Sequence, residues 1–376
     1  MIPFNKPFSI GKEVEYISDA IRRGKIAGDG YYTQKCQEFF ESKYGLKKTL
    51  LTTSCTDALE MAAILLDIQP GDEIIAPSYT FVSTVNAFAL RGANIVFADS
   101  YSDHPNIDPK KIAKLITPKT KAIVVVHYAG VACDMDTIMS ISRQYGIPVV
   151  EDAAQAIDSY YKGKPLGSIG TFGTFSFHET KNIIAGEGGL LAINDEQYIH
   201  RAEIIREKGT NRSSFFRGEV AKYGWVDIGS SFLPSDIIAA YLYAQLENID
   251  CIQARRKAIW ERYYDSLSSV LPNNSGIQLP TVSACSTNNA HMFYLVCENL
   301  EQRTSLIQHL KDNGVHAVFH YLSLHTSEYY KTKHIDNELP HSDFFTDTLI
   351  RLPLFYELTN EQVEYICEKI SEFVNK

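Results

Sequence analysis

The sequence predicts an α/β protein: a large domain over residues 1–250 with a mostly parallel mixed sheet between helices, and a smaller C-terminal α/β domain over 251–376. Three observations lead there. Between about Lys48 and Asn194, short apolar runs alternate with segments of helical period. The runs are near-continuously Val/Ile-rich, as in strands covered on both faces. At 376 residues and 45% hydrophobic content, the chain can bury a large core and carry a second domain.

Taken in order, residues 11–44 read as two helices around the loop Gly28-Asp29-Gly30, with Val14, Ile17 and Ile21 spaced so that one face of the first packs inward. The expected strands are Thr49–Leu51, Ile74–Ala76, Ile95–Ala98, Ala122–Val126, Val149–Val150, Phe175–Phe177 and Leu190–Ile193. Helical periods fall at Ala58–Leu66, Val82–Arg91 and Met135–Tyr145. A helix near Glu196–Glu207 leads into a polar, aromatic loop to Ser235, and a long helix is expected from Asp236 to about Ile249, continuing toward Leu267. The last third alternates strand-like Met292–Val296, a helix near Gln302–Asn313, strand-like Ala317–Phe319 and a final helix from Thr359, where Thr359 and Gln362 can form a capping box. No Pro/Gly/Ser linker separates the domains, so they are expected to pack together.

Composition excludes several classes. The 36 Lys+Arg against 45 Asp+Glu give a formal charge of −9, and no block of like charges resembles a nucleic-acid arm, so neither nucleic acid nor an anionic membrane is an expected partner. The N-terminus shows no cationic segment ahead of an apolar run, and no stretch approaches 18 uncharged apolar residues, which makes a cytoplasmic location the expectation. Seven cysteines stand singly without metal-ligand spacing; no metal is expected.

Ligands of open parallel sheets bind beyond the carboxyl ends of the strands, and four segments at those ends each suit one part of the same small molecule. Thr52-Thr53-Ser54-Cys55-Thr56-Asp57 opens a helix whose first amides and dipole can hold a phosphate, although such a segment alone is more often an ordinary capped helix. Ser78 to Thr84 follows a strand and offers aromatic faces, Tyr79 and Phe81, on which a flat heteroaromatic ring could stack; taken alone, both read as core. Glu151-Asp152-Ala153-Ala154-Gln155 ends another strand, so Asp152 can pair with a protonated pyridine nitrogen and Gln155 can donate to a ring hydroxyl; a plain helix cap suits Asp152 equally well. Phe175 to Asn182 places Lys181 before the glycine-rich Gly186-Glu187-Gly188-Gly189. A lysine amine attacks aldehydes once unprotonated, and burial lowers its pKa. A lone loop lysine is usually solvated, but this one follows Asp152 by 29 residues with the other features upstream.

Residues 201–222 carry Arg201, Arg206, Lys208, Arg212, Arg217 and Lys222 against Glu203, Glu207 and Glu219, a net of +3 that could face a diphosphate. A solvated helix face is an equal reading for any one of them. Phe319-His320-Tyr321-Leu322-Ser323-Leu324-His325 could line a substrate pocket, although a histidine there is more often structural.

These residues resemble the DegT/DnrJ/EryC1/StrS family of sugar aminotransferases over essentially the whole chain, most specifically in Val150–Gln155, in Ser176–Asn182 and in Glu187-Gly188-Gly189. The resemblance implies the type I pyridoxal-phosphate (PLP) fold, a PLP cofactor carried by Lys181, and transfer of an amino group from glutamate to a nucleotide-linked keto sugar. It implies Asp152 at the pyridine nitrogen, Gln155 at the ring hydroxyl, Phe81 stacked on the ring, and Cys55, Thr56 and Ser176 at the phosphate. The candidate substrate residues are Lys25, Lys208 and Arg212, with His320 and Tyr321 from the C-terminal run. The resemblance also implies a homodimer with sites at the interface, with one departure: many relatives place an Asn of the partner subunit on the phosphate, and Leu233 stands at the matching position. Dehydratase relatives carry histidine in place of Lys181, and a non-catalytic regulator on the same fold would tolerate loss of Asp152 or Lys181, so the retained pair argues for transamination.

Overall fold

The computed structural model describes residues 1–272, 275–333 and 338–375. Helices α1 (Glu13–Arg22) and α2 (Tyr31–Tyr44) lead into strand β1 (Lys48–Thr52) and helix α3 (Cys55–Leu65). The chain then alternates through β2 (Glu73–Pro77), α4 (Ser83–Ala89), β3 (Asn94–Ala98), α5 (Pro109–Leu115), β4 (Thr120–Val126), α6 (Met135–Tyr145) and β5 (Val149–Asp152). A small hairpin, β6 (Tyr160–Tyr161) and β7 (Lys164–Pro165), precedes β8 (Phe172–Ser176) and β9 (Gly189–Ile193). Helices α7 (Ile199–Arg206), α8 (Arg212–Phe216), α9 (Asp236–Leu246) and α10 (Ile249–Val270) follow. The C-terminal part holds β10 (Phe293–Val296), α11 (Leu300–Asp312), β11 (Val318–Phe319), α12 (Pro340–Thr348), β12 (Leu349–Leu352) and α13 (Asn360–Val374).

The large sheet has seven strands in the order β1-β9-β8-β5-β4-β2-β3. From β8 to β3 the neighbours run parallel, while β9 lies antiparallel between β8 and β1. Two reversals restore the direction, so Thr52, Pro77, Val126, Asp152 and Ser176 all end at one edge. Register makes this concrete: Val126 lies opposite Asp152, Asp152 opposite Thr174, and Ser176 opposite Gly189.

Why the strands are apolar throughout is visible in the packing. Successive side chains point to opposite faces. Ile75, Ile123, Val125 and Val149 join α2, α6 and α9 in one core, while Ile74, Ala76, Val124 and Val150 join α3, α4 and α7 in the other. A third core forms between the antiparallel sheet β10-β12-β11 and helices α10, α11 and α13. Ile2 belongs to this C-terminal core and bridges to Val315, so the first residues of the chain cross to the far unit. No helix among the described residues is long and apolar enough to cross a membrane.

The structure differs from the sequence reading in two helices. On α1, Val14 and Ile21 are exposed, whereas Ala20 and Glu13 are buried. The Glu13 carboxylate accepts from the Ile10 and Gly11 amides and from Gln245 Nε2 at 2.6–2.8 Å, and that satisfaction lets a charged group replace the apolar stripe at the contact with α9. The long helix after Ser235 is broken at Glu247–Asn248, where Asn248 Nδ2 donates to the Ala244 carbonyl and offers the backbone an alternative to the helical ladder.

Buried Asp236, at the start of α9, ties the two helical layers together: it accepts from the Tyr32 and Thr33 amides and from the Thr33 hydroxyl. Gly30 is required beside it, since a Cβ there would lie 2.3 Å from Asp236 Cγ. Asp236→Ala strands two buried amides and should cost about 2–3 kcal/mol, read as a lower urea midpoint at unchanged slope.

Candidate active site

A cavity of about 1030 Å³ opens over the carboxyl edge of the large sheet, and residues of the C-terminal unit close its far wall. Small-molecule sites usually occupy about 300–1,000 Å³, so the space holds a cofactor and a substrate together.

Its floor is Asp152, buried at the end of β5. Thr84 Oγ1 donates to one carboxylate oxygen at 2.7 Å and the Ala154 amide to the other at 3.1 Å, which leaves each oxygen able to accept more. Burial pushes the Asp152 pKa above the usual carboxylate range despite these donors. A cationic partner over the carboxylate would reverse that penalty. Below it, His127 Nε2 and Glu151 lie 2.9 Å apart in full burial, and Glu151 also accepts the amides of Gly167, Ile169 and Gly170. That network holds the ends of β4 and β5 in place.

Lys181 stands in the loop between β8 and β9. Its neighbour Asn182 is pinned by bonds to Gln253, to the Asn289 carbonyl and to His291 Nδ1, which fixes the loop while leaving the lysine amine without a hydrogen bond or ion pair among the described residues. Burial pushes its pKa below the ordinary lysine value, and the charge of Arg351 adds to the effect against the opposing pull of Cys55 and Asp152.

At one end of the cavity, Ser54 caps α3 by accepting the Asp57 amide at 3.0 Å. The Cys55 and Thr56 amides keep no internal partner among the described residues, and both residues line the cavity. Gly189 makes this close approach possible: a Cβ there would sit 2.2 Å from the Ser54 carbonyl carbon. Ser176, at the end of β8, lies on the same wall, so three hydroxyls or amides and a helix dipole converge where an anion would be stabilised. Phe81, 55% exposed, presents its ring to the cavity with the Tyr321 ring centroid 6.1 Å away, whereas Tyr79 is buried core.

Gln155 is held by both ends: Oε1 accepts the Ala129 amide at 2.6 Å and Nε2 donates to the Tyr321 hydroxyl at 2.8 Å, with a second N–H left over. His320 Nδ1 lies 2.6 Å from the Tyr128 hydroxyl, and its ring stacks on Tyr321 with centroids 3.5 Å apart. Burial and the Arg351 charge hold His320 well below its ordinary pKa, hence neutral.

The family model of the DegT/DnrJ/EryC1/StrS aminotransferases matches residues 9–371. The chain belongs to that family. The whole chain also overlays solved structures of the family type: Spr1654 of Streptococcus pneumoniae, a candidate sugar aminotransferase solved in PLP and PMP (pyridoxamine phosphate) forms, is 28% identical with a TM-score of 0.92 over 100% of this chain and 99% of that one. The aminotransferase TlmJ of Streptoalloteichus hindustanus is 27% identical at a TM-score of 0.91 over the same shares. DesV of S. venezuelae, solved with a ketimine intermediate, is 27% identical at 0.89, again over 100% and 99%.

This family member has a cavity that fits PLP part for part: unpaired amides and Ser176 for the phosphate, an open aromatic face, a buried carboxylate with unused acceptor capacity, and an amine within the same walls. Of the residues named from sequence, Cys55, Thr56, Phe81, Asp152, Gln155, Ser176, Lys181, His320 and Tyr321 all line it. Lys25, Lys208 and Arg212 do not. Lys25 donates to the Asp29 carbonyl, Lys208 is exposed, and exposed Arg212 stacks on Phe216 at 5.2 Å. The cationic stretch is largely consumed by neighbouring carboxylates: Arg201 pairs with Asp67 and Asp227, buried Arg206 with Asp29, and Arg217 with Glu203 and Glu219. Within one chain it therefore forms no diphosphate wall. Leu233 packs over Gly28 and stays out of the cavity.

Sequence reading missed Thr84 as the Asp152 donor, the Asn182–His291 brace, Phe4 and Asn5 from the N-terminal segment, and Arg351. Thr84, Asn182 and His291 stood inside noted segments, but nothing local marks Phe4, Asn5 or Arg351.

The lowered amine has a measurable consequence. PLP uptake by apo-protein, followed by absorbance, should rise with pH along deprotonation of Lys181, with a midpoint below the ordinary 10.5. A midpoint at or above that value would contradict the burial account.

Proposed function

We propose that this chain is a PLP-dependent transaminase that aminates a nucleotide-linked keto deoxysugar, converting dTDP-4-keto-6-deoxy-D-glucose to dTDP-4-amino-4,6-dideoxy-D-galactose with glutamate as amino donor, for cell-surface polysaccharide synthesis. The observation that carries the reading is an unpaired Lys181 amine, depressed in pKa by burial, sharing one cavity with the Asp152 carboxylate and the free amides of α3. Family membership and the likeness to Spr1654 support the sugar. The dTDP-4-keto assignment rests on narrower resemblance in Gly24–Gly30, His127–Cys133, Arg206–Arg212 and Asn289–Tyr294 to the transaminases of enterobacterial common antigen synthesis. The 3-keto isomer is the alternative, because a pocket separates such isomers by a few hydrogen bonds.

PLP, when bound, supplies an electron sink for the carbon that loses or gains a proton. The protein does the rest. Cys55, Thr56 and Ser176 would hold the phosphate, Phe81 would cover the ring face, Gln155 would reach the ring hydroxyl, and Asp152 would supply the anion that keeps the ring nitrogen protonated. Lys181 serves twice: it anchors the cofactor, then its freed Nζ removes a proton from the α-carbon of glutamate. In the second half-reaction the same Nζ delivers a proton to the sugar carbon, so the face on which it stands sets the configuration of the product. His320 and Tyr321 line the sugar side. Lys25, Lys208 and Arg212 face outward in one chain, and in a homodimer with sites at the interface they would serve the partner's nucleotide.

Lys181→Ala should lower turnover by about a thousandfold or more, the scale of a lost general acid–base group. With PLP and glutamate loaded, a panel of dTDP-, UDP- and GDP-linked 3-keto and 4-keto deoxysugars should show dTDP-4-keto-6-deoxyglucose consuming the amine form fastest. A Lys181→Ala protein as active as wild type, or purified material that takes up no PLP, would overturn the assignment.

A further inference from the structure

Arg351 is a cationic group of the cavity wall whose charge nothing in the proposed reaction yet uses. It sits in β12 of the C-terminal unit, opposite Tyr294 and Val318 in the small sheet, and points its side chain into the cavity that holds Lys181. Its guanidinium makes no ion pair or hydrogen bond among the described residues, and its Nε is buried with no partner. A buried cation left unpaired costs free energy unless a ligand completes it. The titratable groups that act on it are the tyrosines Tyr79, Tyr128 and Tyr321, none of them a carboxylate, and burial lowers its pKa.

The N-terminal segment supplies the support. Ile2 pairs with Gly314 and Val315 of the C-terminal unit, and Asn5 Nδ2 donates to the Glu179 carbonyl two residues before Lys181. Between these anchors, Phe4 lies under the guanidinium with Arg351 Cζ 4.6 Å from the ring centroid. A guanidinium stacked on an aromatic face keeps its N–H edge free for a planar anion.

We propose that Arg351, held in orientation by Phe4, binds the α-carboxylate of the amino donor. The inference rests on the transaminase reading above. Two anions could compete for this position, the donor carboxylate and the diphosphate of the sugar nucleotide, and connectivity favours the first. The α-carboxylate is bonded to the very carbon whose proton Lys181 removes, so it must lie beside Lys181, where the Arg351 charge is felt. The diphosphate hangs from the anomeric carbon, several bonds from the ketone. A planar carboxylate also matches the guanidinium fork with two parallel hydrogen bonds. With the carboxylate bound, the Arg351 charge is satisfied in the first half-reaction, and departure of the oxo acid empties the site for the sugar.

The two half-reactions separate the sources. With PLP-loaded protein, Arg351→Gln should raise the KM for glutamate on the order of 100-fold, the scale of removing one partner of a buried charge pair, and should do so equally for glutamine and alanine, which keep the α-carboxylate but lack the side-chain carboxylate. With protein preloaded as the pyridoxamine form, the KM for the keto sugar nucleotide should stay within about twofold of wild type. Equilibrium binding of succinate, which cannot transaminate, should weaken at least tenfold in Arg351→Gln by calorimetry, and Phe4→Leu should give a smaller loss in the same direction, both measured on protein saturated with PLP. A donor KM unchanged in Arg351→Gln, or a loss confined to the sugar half-reaction, would overturn the proposal while leaving the transaminase reading intact. A wild-type protein that performs neither half-reaction would instead overturn the reading itself.

Discussion

Everything in the site depends on one geometric constraint: the strands β1, β2, β4, β5 and β8 end at a single edge of the sheet. Backbone pairing enforces it, because register places Val126 beside Asp152 and Asp152 beside Thr174. The antiparallel insertion of β9 brings Gly189 to the same edge, next to Ser176 and below the start of α3. The end of β5, the end of β8 and the segments that follow β1, β2 and β8 then contribute polar groups that converge on the cavity. The apolar faces of the same strands are buried on both sides, so the edge cannot shift without opening two cores.

Charge is handled sparingly inside that frame. Asp152 and Lys181 are both driven toward their neutral forms by burial, Asp152 upward and Lys181 downward, and neither is paired with the other in the cavity. Such opposed shifts are expected where a bound group must restore the balance, since a cationic ring over Asp152 and a reactive, unprotonated amine are both favoured by them. Two buried carboxylates of the framework are amply satisfied, Glu151 on three amides and Glu13 on two amides and Gln245.

The C-terminal unit is more than a lid of apolar bulk. It contributes His291, His320, Tyr321 and Arg351 to the cavity wall, and the N-terminal segment crosses to pair with it before returning over Lys181. The cavity therefore has one wall from the edge of the large sheet and another from the C-terminal unit.

How much of this was legible in the chain differs by element for physical reasons. The parallel strands, the capped start of α3, the carboxylate at the end of β5 and the lysine before the glycines are local: hydrophobic run, cap and glycine each leave a mark within a few residues, and strand ends of one sheet gather by rule. The capping box at Thr359 is present as read, for the same reason. The inward face of α1 was misread because burial of Glu13 depends on amides and a glutamine far along the chain. Arg206 and Arg201 looked free in part because Asp29 and Asp67, which pair with them, lie more than a hundred residues away. Arg351 and Phe4 leave no local signature at all: their meeting exists only once both chain ends have packed into one unit. Short-range pattern thus determined the elements and the cofactor side of the cavity, and long-range packing alone decided which charges remain open to a ligand.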